Sequence, residues 1–172
     1  MPIEPLDPKR HRRNEFTCGD DELDYFLKKH AQQHAEKGIS RTFILTDTTK
    51  PGAILGFYTL APCEIVLEDI SHKDAKAIKG QKALFGIKLG RLAVKKEHQG
   101  KGLSKVLMHD AILRAVAASN EIGGTAFFVD AKSEGLAKYY EKFGFKRCCT
   151  ERNQRLYIMM GTLRKAVAQA VT

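Results

Sequence analysis

One stretch near the middle of the chain constrains the fold more than any other. Residues 89–94 form an apolar run typical of a strand, residues 95–98 are charged, and residues 99–105 carry two glycines where an amphipathic helix would begin. The first turn of a helix presents unpaired N–H groups and the positive end of the helix dipole. Glycines there let the backbone amides approach an anion closely. The segment therefore predicts a site for phosphate oxygens.

Two familiar nucleotide-binding patterns do not fit this segment. The chain has no P-loop sequence, in which a glycine and four residues precede Gly-Lys-Ser/Thr. It also lacks G-x-G-x-x-G with an acidic residue about 20 positions later, so a Rossmann dinucleotide site is unsupported. A G-x-G after a strand is weak evidence alone, because a tight turn with two glycines would look the same. The residues around the turn are therefore needed to distinguish a phosphate site from a simple tight turn.

Strands and helices alternate along the chain, which predicts an α/β fold with a mixed sheet covered by helices. The predicted strands lie at about residues 39–46, 54–60, 87–94, 125–130, 145–150 and 155–160, with 65–67 continuing the second strand. The predicted helices lie at about residues 21–36, 71–78, 102–119, 134–143 and 162–170. No repeat or linker divides the sequence, so we expect one domain over residues 1–172.

Two of the predicted helices carry recognisable apolar faces. In the first, Asp20 or Asp21 can cap the helix, and the residues that recur on one face are Leu23, Phe26, Leu27, His30 and His34. In the long helix after the glycines, the residues expected to supply apolar surface are Leu103, Val106, Leu107, Ala111, Leu113 and Ala115. Both helices should pack against the sheet through these faces.

Size and composition exclude several classes of protein. The chain has 172 residues, of which 43% are hydrophobic and 28% charged, close to the average for globular domains. Its longest apolar stretches are too short to span a bilayer, so no membrane association is expected. The basic start of the chain has no apolar segment behind it, which argues against a secretory signal. The expected location is the cytoplasm.

Neither the cysteines nor the histidines form a metal-binding pattern. The four cysteines, at positions 18, 63, 148 and 149, have no C-x-x-C spacing. His30 and His34 are four residues apart, but no third ligand or Glu of an H-E-x-x-H motif accompanies them. We expect free thiols and no metal.

The charge is strongly basic and partly clustered. Lys and Arg number 29 against 20 Asp and Glu, giving a net charge of +9. One cluster occupies residues 9–13. A second lies near the end, opposed there by Glu151 alone, and comprises Lys146, Arg147, Arg152, Arg155, Arg164 and Lys165. A basic solvated surface and a footprint for a polyanion, either a nucleic acid or a phosphorylated cofactor, explain these clusters equally well.

The glycine-bearing turn resembles the acyl-CoA signature of the GNAT superfamily of N-acetyltransferases. That signature is Gln/Arg-x-x-Gly-x-Gly/Ala at a helix start, and Ser104, also small, replaces the last residue. The resemblance implies a mixed, mostly antiparallel central sheet flanked by helices and splayed at the site of acetyl-CoA, the co-substrate. It implies that the strand edge at Leu92 and Val94 pairs with the pantetheine arm. It further implies that the pyrophosphate is held by the amides of Gln99, Gly100, Lys101, Gly102, Leu103, Ser104 and Lys105.

A second segment, residues 137–145, resembles the aromatic-Tyr-x-x-x-Gly-Phe box of the same superfamily. By that match the hydroxyl of Tyr140 faces the thioester sulfur and can protonate the departing thiolate. Neighbouring helical residues point about 100° apart, so we expect Tyr140 in the cleft and Tyr139 in the core. The alternative is that Tyr139, Tyr140 and Phe143 are all simply core aromatics.

A wider set of matches resembles the GNAT toxins of bacterial toxin–antitoxin pairs. It comprises Phe16-x-Cys18-Gly19 with Leu23 and Phe26-Leu27, Gly-Phe-Tyr-Thr-Leu at 56–60, Gly-Arg-Leu-Ala-Val at 90–94 and Val-Asp-Ala at 129–131. This resemblance implies acetyl transfer to the α-amino group of aminoacyl-tRNA, which blocks translation. It also implies a cognate antitoxin as partner, with the choice between monomer and homodimer left open. The basic clusters would then contact tRNA phosphates.

Two other functions stay open from the sequence. One is a GNAT enzyme acting on a protein amine or a small polyamine, and the other is a nucleic-acid-binding module without catalysis. An α-amino group has a pKa of about 7.7–8.0, so direct attack of the neutral amine needs neither a strong base nor an acyl-enzyme. Arg91 could be structural or could face RNA phosphate.

Overall fold

The computed structural model describes residues 1–80, 84–150 and 154–170, and there it contains seven strands and six α-helices. The strands are β1 (Ile3–Pro5), β2 (Arg41–Thr46), β3 (Ile54–Glu64), β4 (Phe85–Val94), β5 (Ala126–Asp130), β6 (Lys146–Arg147) and β7 (Arg155–Met159). The helices are α1 (Asp21–Tyr25), α2 (Ala31–Glu36), α3 (His72–Ala77), α4 (Leu103–Ile122), α5 (Glu134–Glu141) and α6 (Met160–Ala170). A π-helical turn, Phe26–His30, joins α1 to α2.

The strands form one sheet in the order β1-β2-β3-β4-β5-β7-β6. The registers of β1 with β2, β2 with β3, β5 with β7 and β6 with β7 are antiparallel, whereas β4 and β5 are parallel. The predicted α/β class with a mixed, mostly antiparallel sheet is thus confirmed. The described register of β4 with β5 ends at Leu89 opposite Val129, and β4 continues to Val94 without a β5 partner there. That unpaired stretch is where the splay was expected.

The internal contacts divide the chain into two compact units. The first comprises residues 1–61 and 90–112, and the second comprises residues 62–89 and 113–172. Strands β3 and β4 and helix α4 contribute residues to both units. The single domain expected over residues 1–172 stays a prediction.

The first unit is built on the helix that Asp20 caps. The Asp20 side chain accepts hydrogen bonds from the N–H groups of Glu22 and Leu23, which satisfies two donors of the first turn. The buried residues of the core cluster below this helix are Phe16, Phe26, Leu27, Ala31, Ile44, Ile54, Phe57 and Ala93. Ala93 belongs to β4, so this cluster fixes the end of the strand from which the glycine-bearing turn departs.

The second unit has its own core around β5 and β7. Its buried residues are Ile65, Ile70, Leu84, Ala126, Phe128 and Tyr157. The hydroxyl of Tyr157 donates to Asp74 at 2.7 Å and accepts from the Ser71 N–H at 2.9 Å. This pairing satisfies a buried phenol and ties the start of α3 to β7.

Several sequence-based expectations need correction. Residues 65–67 do not continue β3, because the strand ends at Glu64 and a 3₁₀ turn follows at Leu67–Asp69. Strand β6 covers two residues instead of six, and strand β1 was not predicted. Val106 and Leu113 are exposed, since the buried face of α4 runs through Leu107, Met108, Ala111, Ala115 and Val116. In the described residues, no helix is both long and apolar enough to cross a membrane.

The first helix runs over the expected residues but contains an unexpected π turn. The Ala31 N–H donates to the carbonyl of Phe26, five residues back, instead of four. Phe26, Leu27 and Ala31 are buried as the apolar face requires, whereas His30 and His34 are only half-buried. His34 nevertheless packs on Phe26 of the predicted face, with ring centroids 5.1 Å apart.

Candidate active site

The turn between β4 and α4 presents a row of backbone amides. Gly100 and Gly102 have φ angles of +75° and +81°, in the left-handed region that favours glycine. Nothing lies within 4 Å of the position that a Cβ would occupy at either glycine. Among the residues that the structure describes, no acceptor pairs with the N–H groups of residues 100–103. These donors stand beside the positive end of the α4 dipole, as an anion site requires.

A cavity of about 540 Å³ lies at this turn, within the usual range for small-ligand sites. Eight of the nine residues predicted to bind acetyl-CoA line it, namely Leu92, Val94, Gln99, Gly100, Gly102, Leu103, Ser104 and Lys105. Lys101 is not part of the lining, and its Nζ donates to the carbonyl of Glu97 at 3.1 Å. The strand end, the glycine turn and the helix start therefore surround one cavity.

A further wall of the cavity comes from the N-terminal segment and was not predicted as part of the site. Cys18, Asp20 and Leu23 contribute it, and Ala93 and His98 complete the lining. The sequence signal for this wall was the Phe16-x-Cys18-Gly19 match, which does not indicate where these residues lie relative to the glycine turn. Residues about 75 positions before the glycine turn could be assigned to its cavity only through the fold.

The side chain of Gln99 braces this wall against the end of β4. Its Nε2 donates to the carbonyl of Cys18 at 2.8 Å and to the carbonyl of Val94 at 3.0 Å. The Lys96 N–H donates to the carbonyl of Thr17 at 2.8 Å and makes a second link between the same segments. With both side-chain hydrogens engaged, Gln99 shapes the cavity through its side chain, and its backbone is what the turn offers to a ligand.

The buried carboxylate of Asp24 fixes the other side of the N-terminal wall. It accepts a hydrogen bond from the Thr17 hydroxyl at 2.7 Å and another from the Cys18 N–H at 2.8 Å. Burial alone raises the pKa of Asp24, but the hydrogen bonds from Thr17 and Cys18 outweigh it, and the pKa lies below its ordinary value. The carboxylate is therefore ionised at neutral pH and holds the segment as a charged acceptor.

The cavity contains a thiol that is not suited to nucleophilic catalysis. Burial, as the largest effect, raises the pKa of Cys18 to about 11. The thiolate is the reactive form of cysteine, and almost none of it exists at neutral pH with such a pKa. Cys18 is thus a wall residue and not an acyl carrier.

Tyr140 and Tyr139 lie on α5 in the second unit. Tyr140 is 8% exposed and packs near Phe145, with ring centroids 6.1 Å apart. Burial raises the pKa of Tyr140 to about 12, so its phenol stays protonated. The expectation that Tyr139 belongs to the core is wrong, because its ring is half-buried and rests against Phe143, four residues on.

The C-terminal basic cluster is largely neutralised, which corrects the expectation that Glu151 alone opposes it. Arg147 forms a bidentate pair with Glu134 and also binds Glu141 at 2.7 Å. The other described ion pairs are Arg155 with Asp130 and Lys146 with Asp74, in which carboxylates distant in sequence fold onto the cations. Arg164 keeps its charge and hydrogen-bonds the neutral side chain of Asn120, while Glu151 and Arg152 lie outside the described residues.

The N-terminal basic cluster is also partly paired. Arg10 contacts Glu4 at 3.1 Å and Arg12 contacts Glu15 at 3.1 Å, although all these groups keep considerable exposure. Exposed pairs of this kind contribute little, so their cations can exchange to another anion. Among the described residues, no group of three or more His, Cys, Asp or Glu side chains could hold a metal ion.

Comparison with known proteins identifies the family. Residues 17–165 match the profile of the acetyltransferase (GNAT) domain. The chain belongs to the GNAT acetyltransferase family. It is an acetyl-CoA-dependent N-acetyltransferase, and acetyl-CoA is its co-substrate. The glycine turn before α4, at residues 99–104, lies within the matched residues.

The relatives of this GNAT chain include several toxins. It is 34% identical, over 131 residues and 76% of each chain, to a Mycobacterium tuberculosis protein named tRNA-acetylating toxin. A structure of AtaT complexed with acetyl-methionyl-tRNAfMet matches with a TM-score of 0.87 and 26% identity, over 96% of this chain and 98% of that one. A tyrosine-to-phenylalanine mutant of the AtaT toxin, bound to the C-terminus of the antitoxin AtaR and acetyl-CoA, matches with a TM-score of 0.79 and 25% identity, over 96% and 97%.

Replacing Gly102 by glutamate should weaken acetyl-CoA binding about tenfold or more. The substitution places a negative charge beside the amide donors, and the loss of one charge-assisted contact costs roughly 1.5–3 kcal/mol. Isothermal titration calorimetry with acetyl-CoA measures the change directly.

Gly38→Glu is the matched control for this variant. Gly38 has a φ of +69°, has nothing within 4 Å of its Cβ position and lies outside the cavity lining. Both substitutions strain the backbone alike, so their melting temperatures should fall together while only Gly102→Glu loses affinity. Equal acetyl-CoA affinity in the two variants would refute the assignment of the turn to the pyrophosphate.

Replacing Asp24 by asparagine should lower the free energy of unfolding by about 1–3 kcal/mol at pH 7, because a charged acceptor of two hydrogen bonds is lost. Since the folded-state pKa of Asp24 is depressed, its contribution is complete above the unfolded value of about 3.9 and disappears as the pH falls through the folded value. Urea unfolding between pH 3 and pH 7 measures it. Asp21→Asn, an exposed position on the same helix, should change stability little at any pH. A destabilisation by Asp24→Asn that persisted undiminished at pH 3 would contradict the charged role.

Proposed function

We propose that this enzyme is a toxin that transfers the acetyl group of acetyl-CoA to the α-amino group of aminoacyl-tRNA and thereby blocks translation. The observation that carries the proposal is the 34% identity, over three quarters of both chains, with a tRNA-acetylating toxin. The likeness to AtaT complexed with acetyl-methionyl-tRNAfMet, over nearly the whole chain, supports the same substrate class. Family membership sets aside a non-catalytic nucleic-acid-binding module.

The first part of the mechanism is the binding of the co-substrate. The amides of residues 100–103 and the ammonium group of Lys105 suit a pyrophosphate, and the cavity has the volume for it. The edge of β4 at Leu92 and Val94 lacks a β5 partner, so its backbone groups suit an extended amide-containing chain that pairs like an added strand. Gln99 and Asp24 keep the opposite wall in place without contacting the ligand through their side chains.

The second part is the transfer itself, in which the thioester of acetyl-CoA supplies the activated acetyl group. The neutral α-amino group attacks the acetyl carbonyl, forms the N–C bond and breaks the C–S bond. The proton that the nitrogen loses replaces, through solvent, the proton that the departing thiolate receives. Cys18 is too weakly acidic to intervene as a carrier, which favours direct transfer. Tyr140 is protonated at neutral pH and, among the described residues, no group hydrogen-bonds its hydroxyl. We assign it as the general acid that protonates the departing thiolate.

The partners follow from the same proposal. A toxin of this class requires a cognate antitoxin, as in the AtaT structure bound to the C-terminus of AtaR. We propose the cytoplasm as its location, because aminoacyl-tRNA is used there in translation. Oligomeric state is not part of the proposal.

The decisive experiment is acetyl transfer from radiolabelled acetyl-CoA to a panel of aminoacyl-tRNAs, with free amino acids, spermidine and a lysine peptide in parallel. We expect label on one or more aminoacyl-tRNAs and at least tenfold lower kcat/KM on the free amines, because RNA contacts add transition-state binding. Efficient labelling of the free amines, with none on aminoacyl-tRNA, would establish the small-amine function instead.

Replacing Tyr140 by phenylalanine should reduce turnover about 10²–10⁴-fold, the usual contribution of general-acid catalysis. The ring and its packing against Phe145 remain, so the melting temperature and the affinity for acetyl-CoA should change little. A single-turnover assay measures the loss. Tyr139→Phe, on the same helix, is the matched control and should stay near wild type. A fully active Tyr140→Phe enzyme would rule out the assigned role.

A further inference from the structure

The π turn between α1 and α2 gathers a connected group of rings at the surface of the first unit. The ring of Tyr25, which is 58% exposed, meets His30 edge to face with centroids 5.1 Å apart. The ring centroids of His30 and His34 are 6.5 Å apart. The ring of His34 meets the ring of Phe26 edge to face, with centroids 5.1 Å apart. Phe26 itself is buried and stacks on Phe57 in the core. The surface rings are thus supported from below by a rigid aromatic cluster.

Arg91 extends this group with a positive charge. Its guanidinium carbon lies 3.7 Å from the centroid of the Phe26 ring, a close cation–π contact. The side chain is half-buried, and among residues 1–80, 84–150 and 154–170 no side-chain hydrogen bond or ion pair of Arg91 is present. Its guanidinium N–H groups are not among the buried unsatisfied atoms of the described residues, so they are open to water or to an external acceptor.

The contrast with the C-terminal arginines makes Arg91 distinctive. Arg147 and Arg155 are held by carboxylates at 2.7 Å, whereas the ring contact holds Arg91 in place and leaves its donors available. Planar guanidinium donors match phosphate oxygens in a bidentate manner. The oxygens of a phosphate could therefore accept hydrogen bonds from the Arg91 guanidinium.

Charged side chains of both signs lie around the rings. Lys28 and Lys29 belong to the π turn itself, and the guanidinium of Arg13 donates to the carbonyl of Lys28 at 3.4 Å. Glu22, whose charge also acts on Arg91, opposes them. Asp21 and Asp24 of α1 add further negative charge, so the helix as a whole has no positive excess. The cations that a partner with phosphates and planar groups could use are those of the π turn and Arg91.

We propose that Tyr25, His30, His34 and Arg91 form a platform for a single-stranded RNA end, with Arg91 on a phosphate and the rings stacked on bases. This inference rests on the proposed aminoacyl-tRNA substrate, whose amino acid is attached to an unpaired 3′ end. Unstacked bases of single strands bind to aromatic side chains and guanidinium planes, whereas duplex RNA offers chiefly phosphates and hydroxyl groups. An exposed tyrosine beside a ring-supported arginine therefore suits a single strand better than a stem.

Arg91 follows Gly90 on β4, and the next residue, Leu92, lines the acetyl-CoA cavity. A phosphate on Arg91 would therefore lie near the strand that contributes to the acetyl-donor site. The platform would position the RNA end for transfer and would take no part in the chemistry. Its loss should then raise KM for the RNA more than it lowers kcat.

The test uses fluorescence anisotropy of a labelled, short single-stranded RNA ending in CCA, with a blunt RNA hairpin as the second probe. Tyr25→Leu should weaken binding of the single strand about fivefold to a hundredfold, the usual effect of losing one stacking ring. Arg91→Gln should weaken it about tenfold or more through the lost phosphate contact. Affinity for the hairpin and for acetyl-CoA should change less than threefold, by the same reasoning.

Two variants outside the platform serve as controls. Phe85→Leu removes an exposed aromatic ring from the second unit, and Arg41→Gln removes an exposed arginine from β2. Neither should alter the affinity for the single strand. Because Tyr25 is exposed, its variant keeps the test informative even if Arg91→Gln lowers the stability of the fold.

The outcomes separate the platform from the proposed function. Unchanged single-strand affinity in both platform variants, or an equal loss on the hairpin, would overturn the platform and leave this face to another kind of partner. A wild-type enzyme that acetylates aminoacyl-tRNA, with the same KM in Tyr25→Leu and Arg91→Gln, would overturn the platform alone. A wild-type enzyme that acetylates only small amines would overturn the proposed function, while selective loss of single-strand binding would still support the platform.

Discussion

The carboxylate of Asp24 is the interaction on which the N-terminal wall of the cavity at the glycine turn depends. It is largely buried, so its ionised form is favourable only because a hydroxyl and a backbone N–H donate to it at 2.7 and 2.8 Å. A hydrogen bond to a charged group contributes roughly 1.5–3 kcal/mol, and the two together exceed the desolvation of this partly accessible carboxylate, as the lowered pKa indicates. The carbonyl groups of Thr17 and Cys18, in the segment held in this way, accept hydrogen bonds from Lys96 and Gln99. These bonds connect the N-terminal helix to the glycine turn.

The sequence predicted the local features of the site well because they depend on short-range rules. A strand, a charged turn and glycines before an amphipathic helix specify an amide-rich turn without reference to the rest of the chain, and eight of nine predicted residues line the cavity. The Asp20 cap and the extent of the first helix followed in the same way. The wall formed by Cys18 and Leu23 could not be predicted, since its contribution depends on tertiary hydrogen bonds across about 75 residues of sequence. The π turn was equally hidden, because one inserted residue leaves composition and capping unchanged.

The ion pairs between residues distant in sequence could not be predicted either. Counting neighbours in sequence suggested that the C-terminal arginines were almost unopposed, yet folding brings Glu134, Glu141 and Asp130 onto them. Arg91 has mostly apolar neighbours in the sequence, and its guanidinium is held by the Phe26 ring instead of a carboxylate. A net charge of +9 therefore says little about where a polyanion binds until the internal pairs are removed from the count.

The end of the β4–β5 register at Leu89 has a consequence for the folded chain before any ligand arrives. Residues 90–94 have no β5 partner in the described register, although the Val94 carbonyl accepts a hydrogen bond from Gln99. An open strand edge of this kind promotes association between strands of different molecules. The stretch is only five residues long, contains Arg91 and is followed by Lys95 and Lys96. Short length and flanking positive charges are established protections of exposed strands, because like charges oppose stacking of identical segments. The basic residues around this edge thus also act as gatekeepers, which keep an opening needed for a ligand from becoming a site of self-assembly.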